Sequence, residues 1–327
     1  MEAATNVVPI SQLTDEQVIR GTFGVYTAKE LMAMEIPEPT WLVPSILPQG
    51  LTILSGKPKS GKSWMALGLA LAISSGGYAL GELALQGPRR VLYLALEDTK
   101  RRLQNRIKQL DVDVSDDLCI RNEWPAGEEG LAYLDRWLDA FPTDLVIIDT
   151  LARLRGEVIF TSDSYRLDYQ DVSAIKTLAD QYDTAIVCLH HNRKSTAHSK
   201  IEMVSGTFGV TGAADTVMVL LRKDQKTNGE LYVIGRDVEE REFAIDFSPE
   251  DGWTLKGDAE KFRQSESRRN IIELLEEEGD GGMRAKDIAE GLDYNYSTTR
   301  VLLSKMLKDG TISREKIGKD TRYQYKP

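Results

Sequence analysis

Gly56-Lys57-Pro58-Lys59-Ser60-Gly61-Lys62-Ser63 lies between an apolar run over 51–55 and a segment over 63–75, with Trp64 as its second residue, that carries helical spacing. It matches G-x-x-x-x-G-K-[ST] at every fixed position. Glycines let consecutive backbone N–H groups turn inward around phosphate oxygens, and the helix that follows presents its positive end to the same anion. A chance Gly/Ser/Lys turn needs neither a strand before it nor a helix after it, and both are expected here. Residues 56–64 are therefore the candidate nucleotide contacts. Lys62 is expected to reach the β and γ phosphates of ATP, and the Ser63 hydroxyl to ligate Mg²⁺.

Outward from this loop, apolar runs alternate with amphipathic ones. Strands are expected at 51–55, 91–97, 145–149 and 185–190, and helices at 63–75, 101–110, 128–140 and 167–182. Val/Ile/Leu-rich strands separated by helices imply an α/β fold whose mostly parallel sheet is covered on both faces. Beyond Asp215 the runs at 216–222, 231–236 and 242–247 are short and separated by turn-forming residues, as antiparallel strands at one sheet edge would be.

Three further groups belong with the loop. The run over 144–149 is a hydrophobic strand closing on Asp149, as a Walker B metal carboxylate requires. Glu97 closes the run over 91–97, where a carboxylate facing the γ-phosphate would polarise water; the alternative is a cap or salt bridge for the next helix, which Asp98 and Thr99 could equally supply. His190 and His191 follow the apolar run over 185–189, at the edge where open α/β sheets bind ligands. A γ-phosphate contact suits them better than a metal pair, since no Cys/His cluster accompanies them.

The chain has 327 residues, 41% hydrophobic and 28% charged, which suits a globular protein of one large domain and one small one. No apolar run approaches the roughly 18 residues of a membrane span. Two cysteines, Cys119 and Cys188, each in an apolar run, argue against a disulfide scaffold or a cysteine zinc site. A cytoplasmic location is expected. The net charge is −10, yet residues 297–326 hold 8 basic against 3 acidic side chains. An acidic body with a basic tail limits nucleic-acid contact to local patches.

With these elements in order, residues 42–247 resemble the RecA/DnaB-type ATPase superfamily, and within it the plasmid RepA-type hexameric helicases and related phage and mobile-element ATPases. The resemblance rests on the loop at 56–63, Leu92-Tyr-Leu-Ala-Leu-Glu97, Val146-Ile-Ile-Asp149, Leu189-His-His-Asn-Arg-Lys194, the glycine-rich run 206–215 and Gly235-Arg236. It implies that Glu97 is the catalytic glutamate and that His190, rather than His191, senses the γ-phosphate. It also implies that Arg236 is an arginine finger completing a neighbouring subunit's site, against the alternative of a surface ion pair with Asp237 or Glu239. Loops at 153–166 and 192–206 would face a central channel of a homo-oligomeric, hexameric ring. Arg155, Arg193, Lys194 and Lys200 would there contact single-stranded DNA, with Phe160 and Tyr165 available for stacking.

The C-terminal part reads as a winged helix-turn-helix: helices at 266–277, 284–290 and 297–308, then strands at 311–315 and 321–325. On the third helix Leu302, Leu303, Met306 and Leu307 take the inward positions, leaving Arg300, Ser304, Lys305 and Lys308 opposite. With Thr298, Thr299, Lys316, Lys319 and Arg322 these are candidate contacts to double-stranded DNA; a protein-interaction role is the alternative. The expected organisation is an arm (1–40), a RecA-like ATPase domain (41–256), a linker (257–265) and the winged helix (266–327). The leading function is DNA-dependent ATP hydrolysis by a ring motor acting as a replicative helicase of a plasmid, phage or mobile element. The alternatives are an ATP-switched recombination or loading factor, a winged-helix regulator whose assembly ATP controls, and a small-molecule kinase.

Overall fold

A computed structural model describes residues 18, 20, 22, 24–156, 164–192, 209–222 and 228–326. The chain divides into two units, 1–39 and 40–327. In the first, Thr27 closes a capping box with Glu30 on a short helix, Ala28–Ala33, that buries none of its residues.

Among the described residues, the second unit is organised around a sheet of nine strands. In chain order they are β1 (Gly50–Gly56), β2 (Val91–Ala95), β3 (Leu118–Arg121), β4 (Leu145–Asp149), β5 (Ala185–His191), β6 (Thr216–Arg222), β7 (Asn228–Gly235), β8 (Arg241–Ser248) and β9 (Gly252–Asp258). Their spatial order is β9-β8-β7-β6-β1-β5-β4-β2-β3. The six from β6 to β3 run parallel, and β7, β8 and β9 add antiparallel. The connecting helices are α1 (Lys62–Ser75), α2 (Lys100–Leu110), α3 (Gly127–Ala140), α4 (Leu151–Arg155), α5 (Ser164–Gln181) and α6 (Gly209–Ala213).

Alternation along the strands divides the core in two. Val91, Tyr93 and Ala95, with Val187 and Leu189, pack on the face covered by α1 and α2. Leu92 and Leu94, with Ile186 and Cys188, pack on the opposite face, covered by α3 and α5. Side chains two apart share a face, so this parity decides which strand-end residues meet α1 and the phosphate loop at its start.

Two expectations need correcting. The run 216–222 is not an antiparallel edge: β6 lies parallel to β1, with Leu220 beside Gly56. Its residues are apolar on both faces, Met218 and Leu220 on one and Val217 and Val219 on the other, which is the pattern of a strand covered twice over. The expected linker 257–265 is the end of β9 followed by the first turns of α7 (Ala259–Glu278). Asp258 caps that helix by accepting from the Lys261 N–H at 2.9 Å, and Arg263 pairs with Glu230 of β7 at 2.7 Å and Glu242 of β8 at 3.3 Å. The segment is polar because its outer surface is wet, yet no glycine or proline interrupts the helix.

α7 continues into a third core. Ile271 and Leu275 pack there with Ile288 of α8 (Ala285–Gly291), with Leu302, Leu303 and Met306 of α9 (Tyr296–Lys308), and with Ile312. Strands β10 (Met283–Arg284), β11 (Ile312–Ile317) and β12 (Asp320–Tyr325) form an antiparallel sheet in the order β10-β12-β11. Among the described residues no helix is long and apolar enough to cross a membrane.

Candidate active site

The phosphate loop joins β1 to α1. Gly61, at φ +100°, takes a conformation that a side chain resists, and a Cβ there would lie 3.0 Å from the Trp253 ring, whose Nε1–H donates to the Gly61 carbonyl at 3.0 Å. A Cβ on Gly56 would collide with the Leu220 carbonyl at 2.8 Å and with Ser60 Oγ at 2.9 Å. Lys57, Pro58 and Lys59 are exposed on the outer rim, and Ser60 is buried with its hydroxyl unpartnered. The Trp64 ring is packed edge-on against Phe247 at 5.5 Å, with the Arg106 guanidinium 5.2 Å above it, so its main chain is the part left to the loop.

Lys62 is 4% exposed and its ammonium is held by the loop itself, donating to the carbonyls of Gly56 (2.9 Å) and Lys57 (3.1 Å). Burial lowers its pKa to about 8, against the opposing pull of Asp149 and Glu97. A cation kept dry beside two carboxylates is poised for a polyanion.

Asp149 ends β4 on the α1 face and is 2% exposed. Burial raises its pKa, while the neighbouring Ser63 and Tyr93 hydroxyls pull the other way. Its Oδ2 accepts from the Tyr93 hydroxyl at 3.0 Å, whereas its Oδ1 is buried with no partner. An orphaned carboxylate oxygen is costly unless something fills its coordination. Next to the Ser63 hydroxyl it makes a hard oxygen pair of the kind Mg²⁺ takes beside substrate phosphates. Ser63 and Asp149 therefore fit the ion; bound there, it would neutralise charge on the phosphates.

Glu97 follows β2, and its side chain is 41% exposed on the same edge. Thr150 donates its hydroxyl to Glu97 Oε1 at 3.0 Å, and the other oxygen, Oε2, lies 3.9 Å from His191 Nε2. The capping alternative falls to its neighbours: Thr99 accepts from the Arg102 N–H at 3.3 Å, and Asp98 pairs with Arg102 at 2.8 Å and Arg106 at 2.5 Å. Glu97 is thus spared structural duty at the α2 terminus.

The two histidines are placed differently with respect to the loop. His191, not His190, meets Lys62, with Nδ1 3.1 Å from Nζ, and its Nε2 lies 3.9 Å from Glu97 Oε2. His191 has the parity of Val187 and Leu189, on the α1 face, whereas His190 has that of Ile186 and Cys188. Burial and the Lys62 charge lower the His191 pKa, against the opposing pull of Glu97, which favours the neutral ring beside the ammonium. Replacing His191 with Ala should lower turnover about tenfold or more, and His190→Ala less than about threefold. Steady-state hydrolysis by the two variants checks this; the opposite order would restore His190.

The remaining candidates are dispersed. Arg236 follows β7 at the far end of the sheet: Gly235 pairs with Thr216, which pairs with Thr52, about 13 Å along β1 from Gly56 at 3.3 Å per residue. Its side chain is 59% exposed, 3.8 Å from Asp215, and reaches the Gly212 carbonyl at 3.5 Å. Arg155 is turned inward, 11% exposed and 3.2 Å from Asp171, which is poor presentation for a nucleic-acid phosphate. Arg193, Lys194 and Lys200, and Phe160 with them, lie outside the described residues, and the side chain of Tyr165 does too. On α9, Thr298, Arg300 and Lys305 are exposed, as is Lys319 between β11 and β12. Thr299, by contrast, is 1% exposed and donates to the Asn295 carbonyl, so it faces inward.

Tyr93, Thr150, His191 and Trp253 are site residues that sequence patterns miss or rank second. Strand parity is the available signal for Tyr93 and His191. None is available for Trp253, which arrives from a strand 192 residues away. A cavity of about 550 Å³ lies beside α1, lined by Leu69, Leu110 and Trp253 among others, but it contains none of Lys62, Glu97, Asp149 or His191. Those four side chains gather on the open sheet edge instead.

A search of the curated proteins finds no match. The fold is similar to that of a solved ATPase domain, with a TM-score of 0.52 at 15% identity over 74% of this chain and 99% of that one. A KaiC-like protein from the hyperthermophilic archaeon Pyrococcus horikoshii OT3 aligns at a TM-score of 0.45 and 14% identity, over 64% of this chain and 90% of its own. Residues 23–197, more than half of the chain, match the AAA domain family, and with a RecA-like sheet that carries Asp149 and Glu97 on one edge, beside Lys62 at the start of α1, this protein belongs to that family and is a P-loop ATPase.

Proposed function

We propose that the protein hydrolyses ATP as a ring-forming, DNA-dependent motor of the helicase type, with each site completed by the next subunit. The observation that carries this is the separation of the catalytic groups. Lys62, Asp149, Glu97 and His191 meet at the C-terminal end of β1, whereas Arg236 stands exposed at the opposite end. A guanidinium there serves transition-state charge only in a second copy.

Within one site the residues divide the work. Main-chain N–H groups of 56–63 and the start of α1 hold the phosphates. Lys62 would exchange the Gly56 and Lys57 carbonyls for phosphate oxygens, and Ser63 with Asp149 would hold Mg²⁺. Glu97, steadied by Thr150, orients the attacking water and takes its proton, with His191 Nε2 close to its other oxygen. DNA contact is assigned to the exposed α9 face and the β11–β12 turn, through Thr298, Arg300, Lys305 and Lys319, reading the C-terminal helices and sheet as a winged helix. Arg193, Lys194 and Lys200 are assigned to single-stranded DNA in the channel. A role in the replication of a mobile element follows from the RepA-type resemblance.

The test is sizing and hydrolysis together. The protein should assemble into a ring with a non-hydrolysable ATP analogue, and single-stranded DNA should accelerate turnover. A monomer under all conditions would remove the motor, and sequence-specific duplex binding without stimulated hydrolysis would favour the regulator.

A further inference from the structure

We propose that Tyr93 is a positioning residue for the metal carboxylate: its phenol engages one oxygen of Asp149 and so aims the other at the Mg²⁺ position. This rests on Asp149 and Ser63 holding the ion.

Tyr93 is fully buried on β2, a strand otherwise made of Val, Leu and Ala. Its register partner on β4 is Ile147, and Asp149 is two residues further along the same face. At that diagonal, a side chain must be long to reach across. The tyrosine hydroxyl does so, donating to Oδ2 at 3.0 Å. The residues flanking it on this face, Val91, Ala95 and Ile147, are aliphatic, so packing against them gives no reason for a hydroxyl here. A buried phenol nearly always has a partner, and this one's partner is the strand-end carboxylate.

The bond is informative because of what it leaves over. A carboxylate pivots about its χ2 torsion, and one fixed oxygen fixes the other. With Oδ2 committed to Tyr93, Oδ1 is the oxygen without a partner, in the corner that Ser63 borders. Groups that hydrogen-bond a metal ligand from behind orient it, and removing them costs about 10- to 100-fold in metal affinity. Tyr93 stands in that relation to Asp149. Phenylalanine would fill the same volume and leave the carboxylate free to turn.

The experiment measures equilibrium binding of N-methylanthraniloyl-ATP to the full-length protein, in EDTA and in Mg²⁺. The ratio of the two dissociation constants reports what the ion adds. In Tyr93→Phe that ratio should shrink about tenfold while the EDTA affinity stays within about twofold, since the phosphate loop is untouched. An unchanged ratio overturns the proposal. So does an EDTA affinity that falls as far as the Mg²⁺ affinity, because that is the signature of a merely loosened core. Asp149→Asn is the companion variant. If it leaves the ratio unchanged, the metal role of Asp149 falls and Tyr93 falls with it, whereas a ratio lost in Asp149→Asn but kept in Tyr93→Phe sinks the positioning role alone.

Discussion

Glu97→Gln should lower kcat about a thousandfold and leave ATP affinity within about twofold. The amide keeps the shape and can still receive the Thr150 hydroxyl that holds Oε1 at 3.0 Å, so the geometry of the site survives. What disappears is the base. The negative charge facing Lys62 and the phosphates goes too, and its removal does not weaken the binding of a polyanion. Single-turnover hydrolysis separated from equilibrium nucleotide binding checks this. A kcat within about threefold of wild type would return Glu97 to a structural role.

Arg236→Ala should cost about 10³–10⁵ in turnover without loss of nucleotide binding, the range associated with a transition-state arginine supplied in trans. The diagnostic result comes from mixing. Combined with Lys62→Ala, itself inactive, the Arg236→Ala protein should recover part of its activity, because some interfaces then pair an intact phosphate loop with an intact arginine. The competing local role is visible: Arg236 lies 3.8 Å from Asp215, which also receives Lys176 at 2.8 Å. Since Lys176 already neutralises that carboxylate and Arg236 is exposed, losing its side chain should alter stability by less than about 1 kcal/mol. Unchanged turnover, or co-assembly without recovery, would refute the finger.

The sheet and its loop can be read from sequence because the signals are local. The motif at 56–63 is contiguous, and apolar runs such as 145–149 declare buried parallel strands whatever lies elsewhere. Expectation and structure part where a non-local choice is needed. Residues 216–222 look like any short apolar strand, and only pairing with β1 or with an edge separates the two outcomes. His190 and His191 are adjacent, so the family pattern does not tell them apart, while counting by twos from Leu189 does. Residues 257–265 mislead because polarity resembles a linker, although Asp258 is a good cap and no helix breaker follows it in α7. The Trp253 contact with Gly61 has no sequence signature at all, being created by the return of the antiparallel hairpin over the loop.

One consequence attaches to α7. Its first turns are pinned to β7 and β8 through Arg263, and its last turns lie in the C-terminal core with Ile271 and Leu275. It is a single rod of about 30 Å at 1.5 Å per residue. A tilt of about 10° at its root would swing its tip by about 5 Å, and inserting one residue would turn everything downstream by about 100°. The register of this shaft, more than its composition, therefore sets where the basic α9 surface points relative to the nucleotide.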